Sequence, residues 1–96
     1  MTKRYRLTRR AEEDVVEIWL YIAADNIIAA DALIDRFTEL YERLADNPSM
    51  GTVQDQYRSN LRSFPMDRYI IFYSAADDGI EIYRVLHGAR QLEDLI

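Results

Sequence analysis

Four arginines and one imidazole are the residues of this sequence whose types and spacing could do chemistry. The string RVLHGARQ runs from Arg84 to Gln91 and holds the only histidine, His87, with Arg84 and Arg90 three residues to either side. Arg62 and Arg68 lie earlier, around Phe64-Pro65. Guanidinium groups around an imidazole fit work on a phosphodiester. Cations hold the phosphate and absorb transition-state charge, and a group titrating near neutrality moves protons. Arg84, His87 and Arg90 would be the catalytic residues of such a site. The same groups also fit a non-catalytic contact surface, since arginines and aromatics anchor protein interfaces. A plainer expectation stands beside both. Arg84 shares a strand face with Ile82 and Leu86, so its guanidinium would pair with an acid or with backbone carbonyls. His87 would bond across the turn at Gly88, and Arg62 and Arg68 would be solvated hairpin charges.

Several chemistries are excluded or disfavoured by composition. There is no cysteine, so there is no disulfide framework and no thiolate nucleophile. A single histidine without cysteine disfavours a zinc site, and no cofactor is expected. The net charge of −5 is unevenly spread. Residues 1–10 carry five cations and no acid, residues 11–46 carry ten acids against two arginines, and residues 47–96 carry seven acids and five arginines. So acidic a middle segment repels nucleic acid, and direct binding of free nucleic acid is not expected. The basic start is followed by no apolar h-region of a secretory signal, and the longest apolar runs are too short for a bilayer. The expectation is a cytoplasmic protein with no membrane contact.

The elements that must position these residues can be read from hydrophobic period. With 96 residues, one domain over residues 1–96 is expected. Residues 3–7 alternate Tyr5 and Leu7 with cations, as a short edge strand would. Thr8 is a plausible N-cap. From Ala11, the apolar residues Val15, Ile18, Trp19 and Ile22 mark one helical face. Glu12, Glu13 and Asp14 lie in its first two turns, where the helix dipole favours anions. The acidic helix surfaces read as solvated. Asp25-Asn26 opens a second helix whose stripe runs Ala30, Leu33, Ile34, Phe37, Leu40, Tyr41, Leu44. Asn47-Pro48 ends it. Two consecutive helices with a tight connection form a hairpin.

The second half changes period. Residues 49–59 read as a polar loop. Residues 61–64 read as a short strand, and 68–73 as a central strand covered on both faces. Asp77-Asp78-Gly79 reads as a turn, and 80–87 as the strand paired with it. Strict alternation would put Ile80, Ile82, Arg84 and Leu86 on one face and Glu81, Tyr83, Val85 and His87 on the other. A last helical turn is expected over 91–96. The fold class is α+β, with order β-α-α-β-β-β: a helical hairpin packed on a small, mostly antiparallel sheet. Trp19 and tyrosines 41, 69 and 73 read as core residues.

Three strings in this order resemble the ParE branch of the ParE/RelE toxin superfamily: NPSMG at 47–51, LRSFPMDRYIIFY at 61–73 and DDGIEIYRVLHGAR at 77–90. The sequence departs from the family pattern at Thr52, where a basic residue is common, and at Gln91, where an acid is common. The resemblance implies the toxin of a type II toxin–antitoxin system. It also implies inhibition of DNA gyrase by non-catalytic binding, neutralisation by a cognate ParD-like antitoxin, and a hetero-oligomer with that antitoxin. Arg62, Arg68, Arg84, His87 and Arg90 are then the target-contact candidates, and Arg4, Arg6 and Trp19 the antitoxin-contact candidates. RelE-type relatives instead cut mRNA on the ribosome, typically with several lysines and arginines and a Tyr, His or Glu near the C-terminus. Here Lys3 is the only lysine and QLEDLI holds no Tyr or His. The alternatives carried forward are a ribosome-dependent ribonuclease using Arg84, His87 and Arg90, and an inactive toxin that retains antitoxin binding.

Overall fold

The computed structural model describes residues 4–88. The helical turn expected over 91–96 and the candidate Arg90 lie outside the described residues. Element order is β1 (Tyr5–Leu7), α1 (Arg9–Ala23), α2 (Ile27–Asp46), a 3-10 turn (Pro48–Met50), β2 (Thr52–Val53), β3 (Arg62–Met66), β4 (Tyr69–Ala76) and β5 (Gly79–His87). The sheet has five strands in the order β1-β5-β4-β3-β2. Only the β1–β5 pair is parallel. The α+β class and the mostly antiparallel sheet are as expected. The fifth strand, β2, is a correction: it forms within the stretch read as a polar loop, where the Gln54 N–H extends the pairing by donating to the Leu61 carbonyl at 2.8 Å.

Local chemistry starts each helix. The Thr8 hydroxyl accepts from the Ala11 N–H at 3.1 Å and donates to the Tyr83 carbonyl at 2.8 Å. One residue therefore caps α1 and ties its start to β5. Asn26 caps α2 through the Ala29 N–H at 3.0 Å. The two helices pack on one face of the sheet. There Leu33, Phe37, Leu40 and Leu44 meet Ile71, Tyr73, Ile80, Ile82 and Val85 in one buried cluster. Leu61, Phe72 and Leu86 form a second cluster on the other face, with Tyr57, Ile70 and Tyr83 against it. The segment carrying Tyr57 is a cover over the sheet, so β4 is buried on both faces as its apolar run requires.

Strict alternation fails in β5, and this is the second correction. Phe72 pairs with Arg84, but the next residue, Tyr73, pairs with Ile82. The extra residue on β5 is a bulge, which shifts every later side chain to the other face. Ile80 and Ile82 face the helices, whereas beyond the bulge Val85 takes that face and Leu86 the opposite one. The turn between β4 and β5 needs Gly79, whose φ of 154° is open mainly to glycine. A Cβ there would also collide with the Arg4 carbonyl, where β1 crosses.

Candidate functional site

The four candidates among the described residues, Arg62, Arg68, Arg84 and His87, do not form one cluster. Arg84 is only 6% exposed. Its Nε donates to Asp14 Oδ2 at 2.7 Å and its Nη2 to Oδ1 at 2.9 Å, a bidentate pair between β5 and α1. The Val85 N–H, next to the bulge, also donates to Asp14 Oδ2 at 3.1 Å. Arg84 therefore meets the expectation of a strand residue paired with an acid. Asp14 departs from its expected place on a solvated surface: it is buried, and it is the counter-charge that lets an arginine sit in the core.

Arg62 belongs to a different construction. Its Nη1 donates to the Gly51 carbonyl at 2.8 Å. The Gly51 N–H donates to the Tyr73 hydroxyl at 2.8 Å, and that hydroxyl donates to the Pro48 carbonyl at 2.8 Å. Gly51 is required by closeness, since a Cβ there would lie 2.8 Å from the Ser63 carbonyl and nearer still to the Tyr73 hydroxyl. The string Asn47–Gly51 is thus held by β3 and β4, and Arg62 fastens it. Burial raises the Tyr73 phenol pKa, while the Gly51 N–H and Arg62 oppose the rise.

Arg68 and His87 do come together. The Gly88 N–H donates to the Arg68 carbonyl at 3.0 Å, and Tyr69 pairs with His87 across the strands. The His87 ring stands edge-on to Tyr69, with centroids 5.7 Å apart, and Tyr69 stands edge-on to Phe37 at 5.5 Å. Arg68, Tyr69 and His87 thus form a ridge at one end of the sheet, with a cleft on each side. One cleft, of about 400 Å³, has Glu17, Ile18 and Tyr21 of α1 as its opposite wall. The other is bounded by Pro65, Asp67, Ile70 and Gly88. Asp67 adopts a left-handed conformation (φ 54°) at the β3–β4 turn and accepts from Arg36 Nη1 at 2.6 Å. That hydrogen bond holds its carboxyl below the usual carboxylate range.

Tyr21 and Glu17 were not among the candidates. The available signal was an aromatic residue just off the apolar face of α1, which packing does not require. The antitoxin-contact candidates all have partners inside the molecule. Arg4 pairs with Asp46 at 3.1 Å and Arg6 with Glu81 at 3.2 Å, both at the surface. Trp19 donates to Asp31 Oδ1 at 2.8 Å and so links α1 to α2. Surface pairs of this kind contribute little and exchange readily for a partner's acids.

No group of three metal-ligating residues occurs among the described residues. No helix among them is long and apolar enough to cross a membrane. The sequence profile described as "ParE toxin of type II toxin-antitoxin system, parDE" matches residues 5–92. The chain belongs to the ParE toxin family. Toxin ParE1 of Caulobacter vibrioides is 33% identical over 88 residues, covering 88% of each chain. Toxin ParE1 of Mycobacterium tuberculosis is 28% identical over 89 residues, covering 91% of each. A solved structure of the chromosomal ParDE system from P. aeruginosa superimposes with a TM-score of 0.70 at 16% identity, over 86% of this chain and 92% of that one. The match to the ParE profile spans all three strings that carried the resemblance and every element from β1 to β5.

Proposed function

We propose that this ParE-family toxin inhibits DNA gyrase by stoichiometric binding through the ridge of Arg68, Tyr69 and His87, and that a ParD-like antitoxin neutralises it. One observation carries the reading. Arg84, which a ribonuclease would need at the scissile phosphate, is locked into the scaffold by Asp14. Among the described residues, what remains accessible at the sheet end is a cation and a set of rings, the composition of an interface anchor rather than an acid–base pair. The antitoxin is inferred from the family and from the solved system of the same fold, which is a ParDE system.

The test is a supercoiling assay with purified gyrase, run beside a translation reaction in which mRNA is mapped for new 5′ ends. The expected result is inhibition of supercoiling that saturates stoichiometrically, reversed by the antitoxin, with no new mRNA ends. Unchanged supercoiling and unchanged cleavage-complex levels at saturating toxin would refute the gyrase reading. New mRNA ends that disappear in the His87→Ala variant would establish the ribonuclease alternative.

A further inference from the structure

The turn between β3 and β4 carries a carboxylate where a hairpin favours glycine. Met66 pairs with Tyr69, so Asp67 and Arg68 are the two residues of the loop. Of these two only Asp67 has positive φ, at 54°. A two-residue hairpin turn with positive φ at its first position prefers glycine there. A side chain kept at such a position points to a use for it.

The partner of that side chain comes from the other layer of the fold. Arg36 of α2 donates from Nη1 to Asp67 Oδ2 at 2.6 Å. The two side chains are 53% and 50% exposed. An exposed pair contributes little to stability. Local charge gives the pair a stronger role. Arg68 directly follows Asp67, and both border the cleft that Tyr69 and His87 also line. Among the described residues Arg68 forms no ion pair. Two cations therefore act on one carboxylate: Arg36 through a hydrogen bond, Arg68 through space. Glu39, almost one turn further along α2, is the other acid that acts on Arg36. Without Arg36, the remaining cation acting on Asp67 is Arg68. An arginine paired with its neighbour must be freed from that carboxylate before it meets a partner, and it presents less charge until then.

We propose that Arg36 is a positioning residue for the ridge: it holds the Asp67 carboxylate from α2, keeps it from neutralising Arg68, and so leaves the Arg68 guanidinium for the target. The proposal rests on the ridge reading above, and its test has one arm that needs no gyrase.

That arm follows the Asp67 carboxyl carbon by NMR against pH, on the isotope-labelled full chain. In the wild type the carboxyl should titrate below the usual carboxylate range, held there by Arg36. In Arg36→Ala it should remain below that range, because Arg68 takes the carboxylate over. In Arg36→Ala with Arg68→Ala it should return to the usual range. A return already in Arg36→Ala alone would overturn the inference, since Arg68 would then not compete. The second arm is gyrase supercoiling at equal folded concentration. Arg36→Ala should raise the half-inhibiting concentration about threefold, the scale of one exposed charge pair. Adding Asp67→Asn should restore inhibition, because asparagine keeps the left-handed turn and removes the competing charge. A pair that only anchored the turn would show no such rescue, so a double variant as weak as Arg36→Ala would also overturn the inference. If the wild type itself leaves gyrase untouched, the gyrase reading fails, and the carboxyl titration alone decides whether Arg36 shields Arg68.

Discussion

Removing Asp14 is the perturbation whose consequence the structure fixes most closely. Asp14→Ala leaves the Arg84 guanidinium buried without its two charge-assisted bonds and leaves the Val85 N–H without its acceptor. Breaking one side of a buried pair costs about 3–5 kcal/mol, because an uncompensated charge remains. A domain of this size is stable by about 5–15 kcal/mol, so the loss is a large fraction of the whole. With a urea m-value of about 1–3 kcal/mol/M, the midpoint should fall by roughly 2 M. Trp19 is the only tryptophan and its indole is tied to Asp31, so its fluorescence follows unfolding of the helical hairpin. Arg84→Met should be as damaging as Asp14→Ala, since it strands the carboxylate. Asp14→Leu with Arg84→Met together should recover most of the loss, because an apolar pair of similar volume replaces both charges. A loss below about 1 kcal/mol in Asp14→Ala would refute this account of the pair. The functional corollary is that Arg84 variants lose toxicity through folding, so their activity must be compared at equal folded concentration.

Two tyrosines should respond oppositely to loss of their hydroxyl. Tyr73→Phe strands the Gly51 N–H and the Pro48 carbonyl and should destabilise by about 1–3 kcal/mol in urea melts. Tyr41 is buried and its hydroxyl has no hydrogen-bond partner among the described residues, so Tyr41→Phe should be neutral or stabilising. Gly51→Ala should destabilise by about 1–3 kcal/mol through crowding against Ser63 and Tyr73, read as a lower melting temperature. Burial raises the phenol pKa of Tyr41, with Tyr5 and Asp14 adding to it, and burial raises Tyr73 as well. Both folded values exceed the unfolded 10.0, so the contribution is complete below pH 10 and is lost as pH rises above it. Alkaline titration of stability should therefore steepen above pH 10, and less so in the double phenylalanine variant.

Much of the fold was legible because its signals are local and periodic. The α2 stripe, the caps at Thr8 and Asn26, and the Asp77–Gly79 turn each state their structure in a few residues. The bulge in β5 was not legible. An alternating strand gives no sign of one inserted residue, so Leu86 and Val85 were assigned to each other's faces. β2 is too short to carry a period of its own and exists through pairing with β3. At the site, Arg84 was legible as a paired strand residue, whereas the identity of its acid was hidden by the dipole explanation for Asp14. A stronger clue was present, since Asp14 falls within the Ala11, Val15, Ile18 face, where an acid must be paired. Arg62 looked like Arg68 in sequence. Only the geometry around Gly51 separates the residue that fastens a loop from the one beside an open cleft.

The central claim is that the toxin acts through the Arg68 and His87 ridge and not through Arg84. The most direct measurement is the concentration of toxin that half-inhibits gyrase supercoiling, for the wild type and for Arg68→Glu with His87→Ala. Both are matched by urea melting so that equal folded protein is compared. The account predicts that the double variant keeps its stability and loses inhibition at least about tenfold, the scale on which two interface anchors act. Full inhibition by a folded double variant would contradict it.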